Sequence, residues 1–184
     1  MLVKATGIDK LVEITPTVYN DDRGWFVEFY KEEVFQEHNL NYTFVQENKS
    51  FSKKGVVRGL HMQLEPFSQA KLVSVIQGRV LDVVVDLRKG SKTFAKVHYC
   101  ILDGDLSNML MVPAGFAHGF AALEDSIFFY KCSNHYNKNS DTGLVWNDSE
   151  LNIDWQISNP IISEKDQQLP TLAELLRKSV ISRN

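Results

Sequence analysis

Residues 71–87 read KLVSVIQGRVLDVVVDL, two aliphatic and β-branched runs, Lys71 to Ile76 and Arg79 to Leu87, separated by Gln77-Gly78. β-branched side chains fit a pleated surface better than a helix, so both runs predict strands. Outward from them, Phe94 to Leu102, Asn108 to Val112 and Ser126 to Cys132 have the same character. Strands this closely spaced predict antiparallel pairing, and Gln77-Gly78 and Asp103-Gly104 predict tight hairpin turns because their residues tolerate positive φ. A parallel sheet would need crossovers of roughly ten or more residues, usually helical, and this region has none. The expectation is a mainly β sandwich or barrel. Toward the N-terminus, Lys31 to His38 predicts a short helix that turns Val34 and Phe35 inward. Near the other end, Thr171-Leu172-Ala173-Glu174 has the spacing of a capping box and opens a second short helix.

The 184 residues are 43% hydrophobic and 23% charged, and their 20 Lys and Arg against 23 Asp and Glu leave a net charge of −3. That balance argues against a protein whose affinity rests on neutralising many phosphates. No apolar run approaches the roughly 18 to 20 residues of a membrane span, and the first residues lack a signal-like apolar stretch, so a cytoplasmic location is expected. No repeat, low-complexity tract or linker divides the chain, and residues 1–184 read as one domain. Cys100 and Cys132 sit inside strand-like runs and read as buried thiols.

The motifs of dinucleotide, P-loop, serine-esterase and zinc-protease sites are absent. The five histidines have no i, i+2 or i, i+4 pair, and no metal site is expected. The polar residues left over fall in a few runs. Phe44 to Ser50 reads as a strand entering a polar loop. Lys54 to Gln63 reads as a strand in which Val56, Arg58, Leu60 and Met62 share one face, and Val57, Gly59, His61 and Gln63 the other. By itself this is an edge strand with a solvated Arg58 and a satisfied His61. Pro113 to Phe120 reads as a loop with His118 where the chain re-enters the sheet, a capping histidine. Ser163-Glu164-Lys165-Asp166 reads as a wet linker to the last helix.

Taken together, these runs resemble the dTDP-4-dehydrorhamnose 3,5-epimerase family over nearly the whole chain. The matching segments, in the family's order, are Asp22-Arg23-Gly24, Phe44-Val45-Gln46, Arg58-Gly59-Leu60-His61, Gln69-Ala70-Lys71-Leu72-Val73, Asp86-Leu87-Arg88, Pro113 to Phe120, Trp146-Asn147-Asp148 and Lys165-Asp166. The resemblance implies a cupin-type jelly roll, an antiparallel double-sheet barrel with short peripheral helices. It also implies a metal-free, cofactor-free site, and His61 is indeed followed by Met62 and Gln63 instead of the second histidine of a metal-binding pair.

The implied reaction inverts C3 and C5 of dTDP-4-dehydro-6-deoxy-D-glucose beside its 4-ketone, which needs a base, an acid on the opposite side and a cation at the ketone oxygen. By resemblance His61 is the base, Asp166 its orienting partner, Tyr130 the acid and Lys71 the cation. Read from pattern alone, Tyr130 is a rim aromatic and Lys71 an ordinary strand-start lysine. The positions matching nucleotide-sugar contacts are Arg23, Phe26, Glu28, Gln46, Glu47, Asn48, Arg58, His118, Asp141 and Lys165, with Tyr136 where the family stacks an aromatic on thymine. In the family the arm carrying Arg23 and Glu28 crosses to a partner, so a homodimer with shared sites is implied. Glu47, Met62, Val97, Asp141 and Gln156 depart from the family's common residues, and Met62 beside His61 bears on whether both carbons are inverted. A 3-epimerase or ketoisomerase for another dTDP-deoxysugar, and a non-catalytic sugar-nucleotide-binding cupin, are the alternatives.

Overall fold

A computed structural model describes residues 1–178 and 180–181. The chain begins with β1 (Leu2–Ala5), β2 (Val12–Thr15), β3 (Val18–Asp21), β4 (Gly24–Val27) and α1 (Glu32–Glu37). The central strands are β5 (Gln46–Ser52), β6 (Val57–Gln63), β7 (Lys71–Gln77), β8 (Arg79–Asp86), β9 (Val97–Asp103), β10 (Met109–Val112), β11 (Phe116–Ala122) and β12 (Ser126–Cys132). β13 (Asp141–Gly143), α2 (Glu164–Gln167) and α3 (Leu172–Arg177) complete it. A six-stranded sheet runs β1-β2-β10-β7-β12-β5, a five-stranded sheet runs β13-β6-β11-β8-β9, and β3 and β4 form a separate ribbon. Neighbours in these sheets pair antiparallel.

Expected strands and observed strands agree closely, but the turns join them differently. β7 pairs with β10 and β12, whereas β8 pairs with β9 and β11. Gln77-Gly78 therefore carries the chain from one sheet to the other, and Asp103-Gly104 does the same between β9 and β10. Neither is a hairpin turn. Gly78 has φ +79°, and a Cβ there would meet the Asp125 carbonyl oxygen at 2.3 Å. A positive-φ residue permits a sharp reversal but leaves the pairing partner open, and here burial of both sheets' inner faces decides it.

The double sheet has apolar layers on three levels. Between the sheets lie Val73, Val75, Val80, Val84, Phe120 and Phe128. On the far face of the five-stranded sheet, Leu60, Leu81, Val83 and Val85 pack against Trp155 and against Leu172 and Leu175 of α3. On the far face of the six-stranded sheet, Leu72, Met109 and Met111 meet Phe35 of α1 and Leu40. β8 is covered on both faces, which explains why its residues from Val80 to Val85 are apolar except for buried Asp82, and each such apolar side chain contributes roughly 1.5–3 kcal/mol by leaving water. The capping box forms as expected: Thr171 Oγ1 accepts the Glu174 N–H, and Glu174 accepts the Thr171 N–H. Both cysteines are buried. No helix of the described residues is long and apolar enough to cross a membrane.

Four local readings are corrected. Gln46 to Ser50 belong to strand β5, because alternating polar residues suit a strand with one wet and one cavity face. β9 begins at Val97, since the preceding turn is gathered by buried Asp86, which accepts from Arg88, Ser91 and Thr93. β11 begins at Phe116, so His118 is a mid-strand residue. Residues 164–167 form helix α2 capped by Ser163, and Asp166 within it is buried.

Candidate active site

β6 is flanked by β13 and β11, so it is an interior strand. Strict alternation along it also fails. His118 pairs with His61, and Phe120 with Arg58, so β6 spends three residues where β11 spends two. That bulge centres on Gly59, at φ +115°, where a Cβ would lie 2.7 Å from Gly119 Cα and 2.8 Å from the His118 carbonyl. The extra residue turns Val57, Leu60 and Met62 together into the far core, and brings Arg58 and His61 to the same cavity. Arg58 Nε donates to Ser52 Oγ at 2.9 Å and Nη2 to the Phe51 carbonyl at 3.1 Å, which fixes its guanidinium at the wall. His61 Nε2 lies 2.8 Å from Asp166 Oδ1, and the Gly59 N–H donates to Asp166 Oδ2 at 3.2 Å. An ionised carboxylate only accepts, so the pair places the His61 proton on Nε2 and leaves Nδ1 as the basic nitrogen. Burial alone would raise the Asp166 carboxyl, but bonds from His61, Gly59 and Ser163 outweigh it and hold it below the usual carboxylate range.

The opposite wall comes from the six-stranded sheet. β12 registers Tyr130 against Val73 and Cys132 against Lys71 on β7. Two adjoining cavities of about 200 and 150 Å³ share His61, Lys71 and Tyr130. Burial pushes the Tyr130 phenol up, which favours its protonated form. Burial pushes the Lys71 ammonium down, opposed by the charges of Cys132, Asp141 and Asp82. His61 on one sheet thus stands across the shared cavities from Tyr130 and Lys71 on the other.

The residues expected to contact a nucleotide sugar divide into two groups. Arg58 and His118 line the larger of these cavities, and Gln46, Asn48, Tyr136, Asp141 and Lys165 line the smaller. His118 is held by buried Asp82 at 2.8 Å. Lys165 bonds to Asp141 Oδ2, which also accepts the Tyr136 hydroxyl at 3.1 Å. Four expected contacts do not reach this chain's cavity. Glu47 points to the opposite face of β5 from Gln46 and Asn48, and pairs with Lys131. Arg23, Phe26 and Glu28 lie on or just beyond the β3–β4 ribbon, where Arg23 bonds only to Asp21 among the described residues.

Residues 5–174 match the family model of dTDP-4-dehydrorhamnose 3,5-epimerase. The chain belongs to this family. Its members are isomerases. A relative of that name from Shigella flexneri is 45% identical over 168 residues, covering 90% of this chain and 93% of its own. The solved 3,5-epimerase of Elizabethkingia anophelis is 47% identical with a TM-score of 0.90, covering 95% of this chain and 97% of that one. That of Legionella pneumophila, solved in complex with dTDP-4-keto-L-rhamnose, is 39% identical with a TM-score of 0.92 and covers 100% of this chain and 98% of that one.

Several residues of this family member's cavity were not among the candidate site residues: Ser50, Gln63, Gln69, Phe128 and Cys132. Period-two alternation holds a signal for some of them, since Phe128, Tyr130 and Cys132 share one face of β12, and Gln46, Asn48 and Ser50 one face of β5. Asp82 also escaped, although a carboxylate inside the run Val80 to Val85 was itself a signal. A larger cavity, about 670 Å³, lies away from the dyad among Leu64, Leu87, Ala114 and Ile181. Its charged lining is Glu65, Arg88 and Lys89, and none of His61, Lys71, Tyr130 or Asp166 lines it.

Proposed function

We propose that the chain epimerises C3 and C5 of dTDP-4-dehydro-6-deoxy-D-glucose to give dTDP-4-dehydro-L-rhamnose, in dTDP-rhamnose biosynthesis. One observation carries the reading: a carboxylate-held histidine on one sheet faces a half-buried phenol and a lysine on the other, within shared cavities. His61 Nδ1 takes the proton from the carbon beside the 4-ketone, and the electron pair moves onto the ketone oxygen as an enolate. Lys71 stabilises that charge in a site where water is scarce. The enolate then collapses, and the Tyr130 hydroxyl delivers a proton to the carbon from the other side. The ketone is restored, and exchange with solvent removes the proton from His61 and returns one to Tyr130 before the next carbon is inverted, so the cycle consumes no redox cofactor. Arg58, His118 and Lys165 supply donors for the diphosphate sugar, and Tyr136 a platform for the base.

The same reading has residues 1–184 acting as one domain in the cytoplasm, as a homodimer whose β3–β4 ribbon reaches a partner's cavity. Supporting the dimer, Tyr19, Trp25 and Phe26 on that ribbon are 61%, 65% and 67% exposed. Incubation with dTDP-4-keto-6-deoxyglucose in heavy water, read by NMR, should place deuterium at both C3 and C5. His61→Ala and Tyr130→Phe should each lower turnover by about 100-fold or more. Exchange at C3 alone points to the 3-epimerase reading, and full turnover by either variant overturns the assignment.

A further inference from the structure

Tyr136 is 53% exposed, and among the described residues no other aromatic ring packs on it. Its backbone is nevertheless tightly held. Gln63, 5% exposed at the end of β6, sends its carboxamide into the segment that carries Tyr136. Nε2 donates to the His135 carbonyl at 3.2 Å and to the Phe67 carbonyl at 2.8 Å, and Oε1 accepts the Asn137 N–H at 2.6 Å. One side chain thus grips the residues on both sides of Tyr136. The Tyr136 N–H itself donates to Gln46 Oε1 at 3.0 Å, and Gln69 Nε2 donates to the Asn134 carbonyl at 2.7 Å. Asn137 in turn caps the short 3-10 turn leading to Asp141, the acceptor of the Tyr136 hydroxyl.

We infer that Gln63 is a positioning residue that fixes Tyr136 as a preformed stacking platform for the nucleobase, an inference that rests on the nucleotide-sugar reading above. Two features of the side chain make it suited to this. A carboxamide both donates twice and accepts, which neither a carboxylate nor an aliphatic side chain can do. Gln63 also follows His61 by two residues on one strand, so the platform and the proton-abstracting imidazole are set from the same rigid element. A ring held in place before the ligand arrives avoids the ordering cost that a free loop would incur on binding.

The test is calorimetric titration of dTDP into the wild-type chain, Gln63→Leu, Tyr136→Ala and the double variant. Tyr136→Ala should weaken dTDP about tenfold, within the range for loss of one base–aromatic stack. Gln63→Leu should weaken it by a similar factor, and the double variant should be no weaker than the weaker single, because both changes remove one platform. Should Gln63→Leu not fold, Gln63→Glu keeps the volume and the acceptor for Asn137 but sets a carboxylate against two carbonyls, and should also weaken dTDP. Wild-type affinity in the Gln63 variants, or losses that multiply in the double variant, overturns the positioning role. A wild-type chain that does not bind dTDP overturns instead the nucleotide reading beneath it.

Discussion

At Lys71, burial works against the charge that the proposed reaction requires. Its ammonium loses hydration, and the nearby Cys132, Asp141 and Asp82 only partly offset that loss, so its pKa falls below that of an ordinary lysine. Tyr130 shifts the other way and keeps its proton. If the Lys71 ammonium sets the alkaline limb of kcat/KM, that limb should lie below about pH 10.4, the ordinary lysine value. Lys71→Arg, whose guanidinium stays charged past pH 12, should move the limb upward in whatever activity remains. A limb at or above the ordinary lysine value, or one unmoved by the substitution, would refute the assignment of Lys71 to the enolate oxygen. His61 and Lys71 sit inside matched segments, Arg58-Gly59-Leu60-His61 and Gln69-Ala70-Lys71-Leu72-Val73, whereas Tyr130 is assigned by resemblance alone. Gln63 was not legible, because a glutamine's role depends on which backbone groups come within its reach.

For the elements, the bulge in β6 is what assembles the site. Were β6 regular, Arg58 and His61 would point to opposite faces. Gly59→Ala would place a methyl 2.7 Å from Gly119 Cα, at φ +115° where side chains are strained. We expect a loss of about 2–4 kcal/mol in urea unfolding, with activity reduced because His61 must shift. A variant within about 0.5 kcal/mol of wild type would show that the strands separate at no cost. Strand positions were readable from composition, as β7, β8, β10 and β12 show. The sheet changes at Gln77-Gly78 and Asp103-Gly104 were not, because a turn's backbone chemistry is the same whether the next strand pairs with the last or crosses the core. Nor was the bulge, since nothing in the sequence around Gly59 reports the register of a partner strand some sixty residues away.

At the scale of the whole molecule, Arg23, Phe26 and Glu28 stand outside the cavity that their family match assigns them to. In the proposed dimer a crossing ribbon would resolve the mismatch, each site then combining His61 of one subunit with Arg23 of the other. Arg23→Ala and His61→Ala chains, each impaired alone, should regain about a quarter of wild-type activity when co-expressed, because half the dimers are mixed and one of their two sites is intact. Activity no better than the mean of the two parents, or a fully active monomer by light scattering, would reject shared sites. The sequence by itself determined a mainly antiparallel β fold, the capped terminal helix and, through motif order, the family. Those features are written in local propensity and side-chain chemistry. Tertiary structure alone decided which strands share a sheet, that Arg58 and His61 face one cavity, that Glu47 turns away, and that Gln63 grips the Tyr136 segment. Each of these depends on register and burial between segments distant in the chain, and no local pattern encodes them.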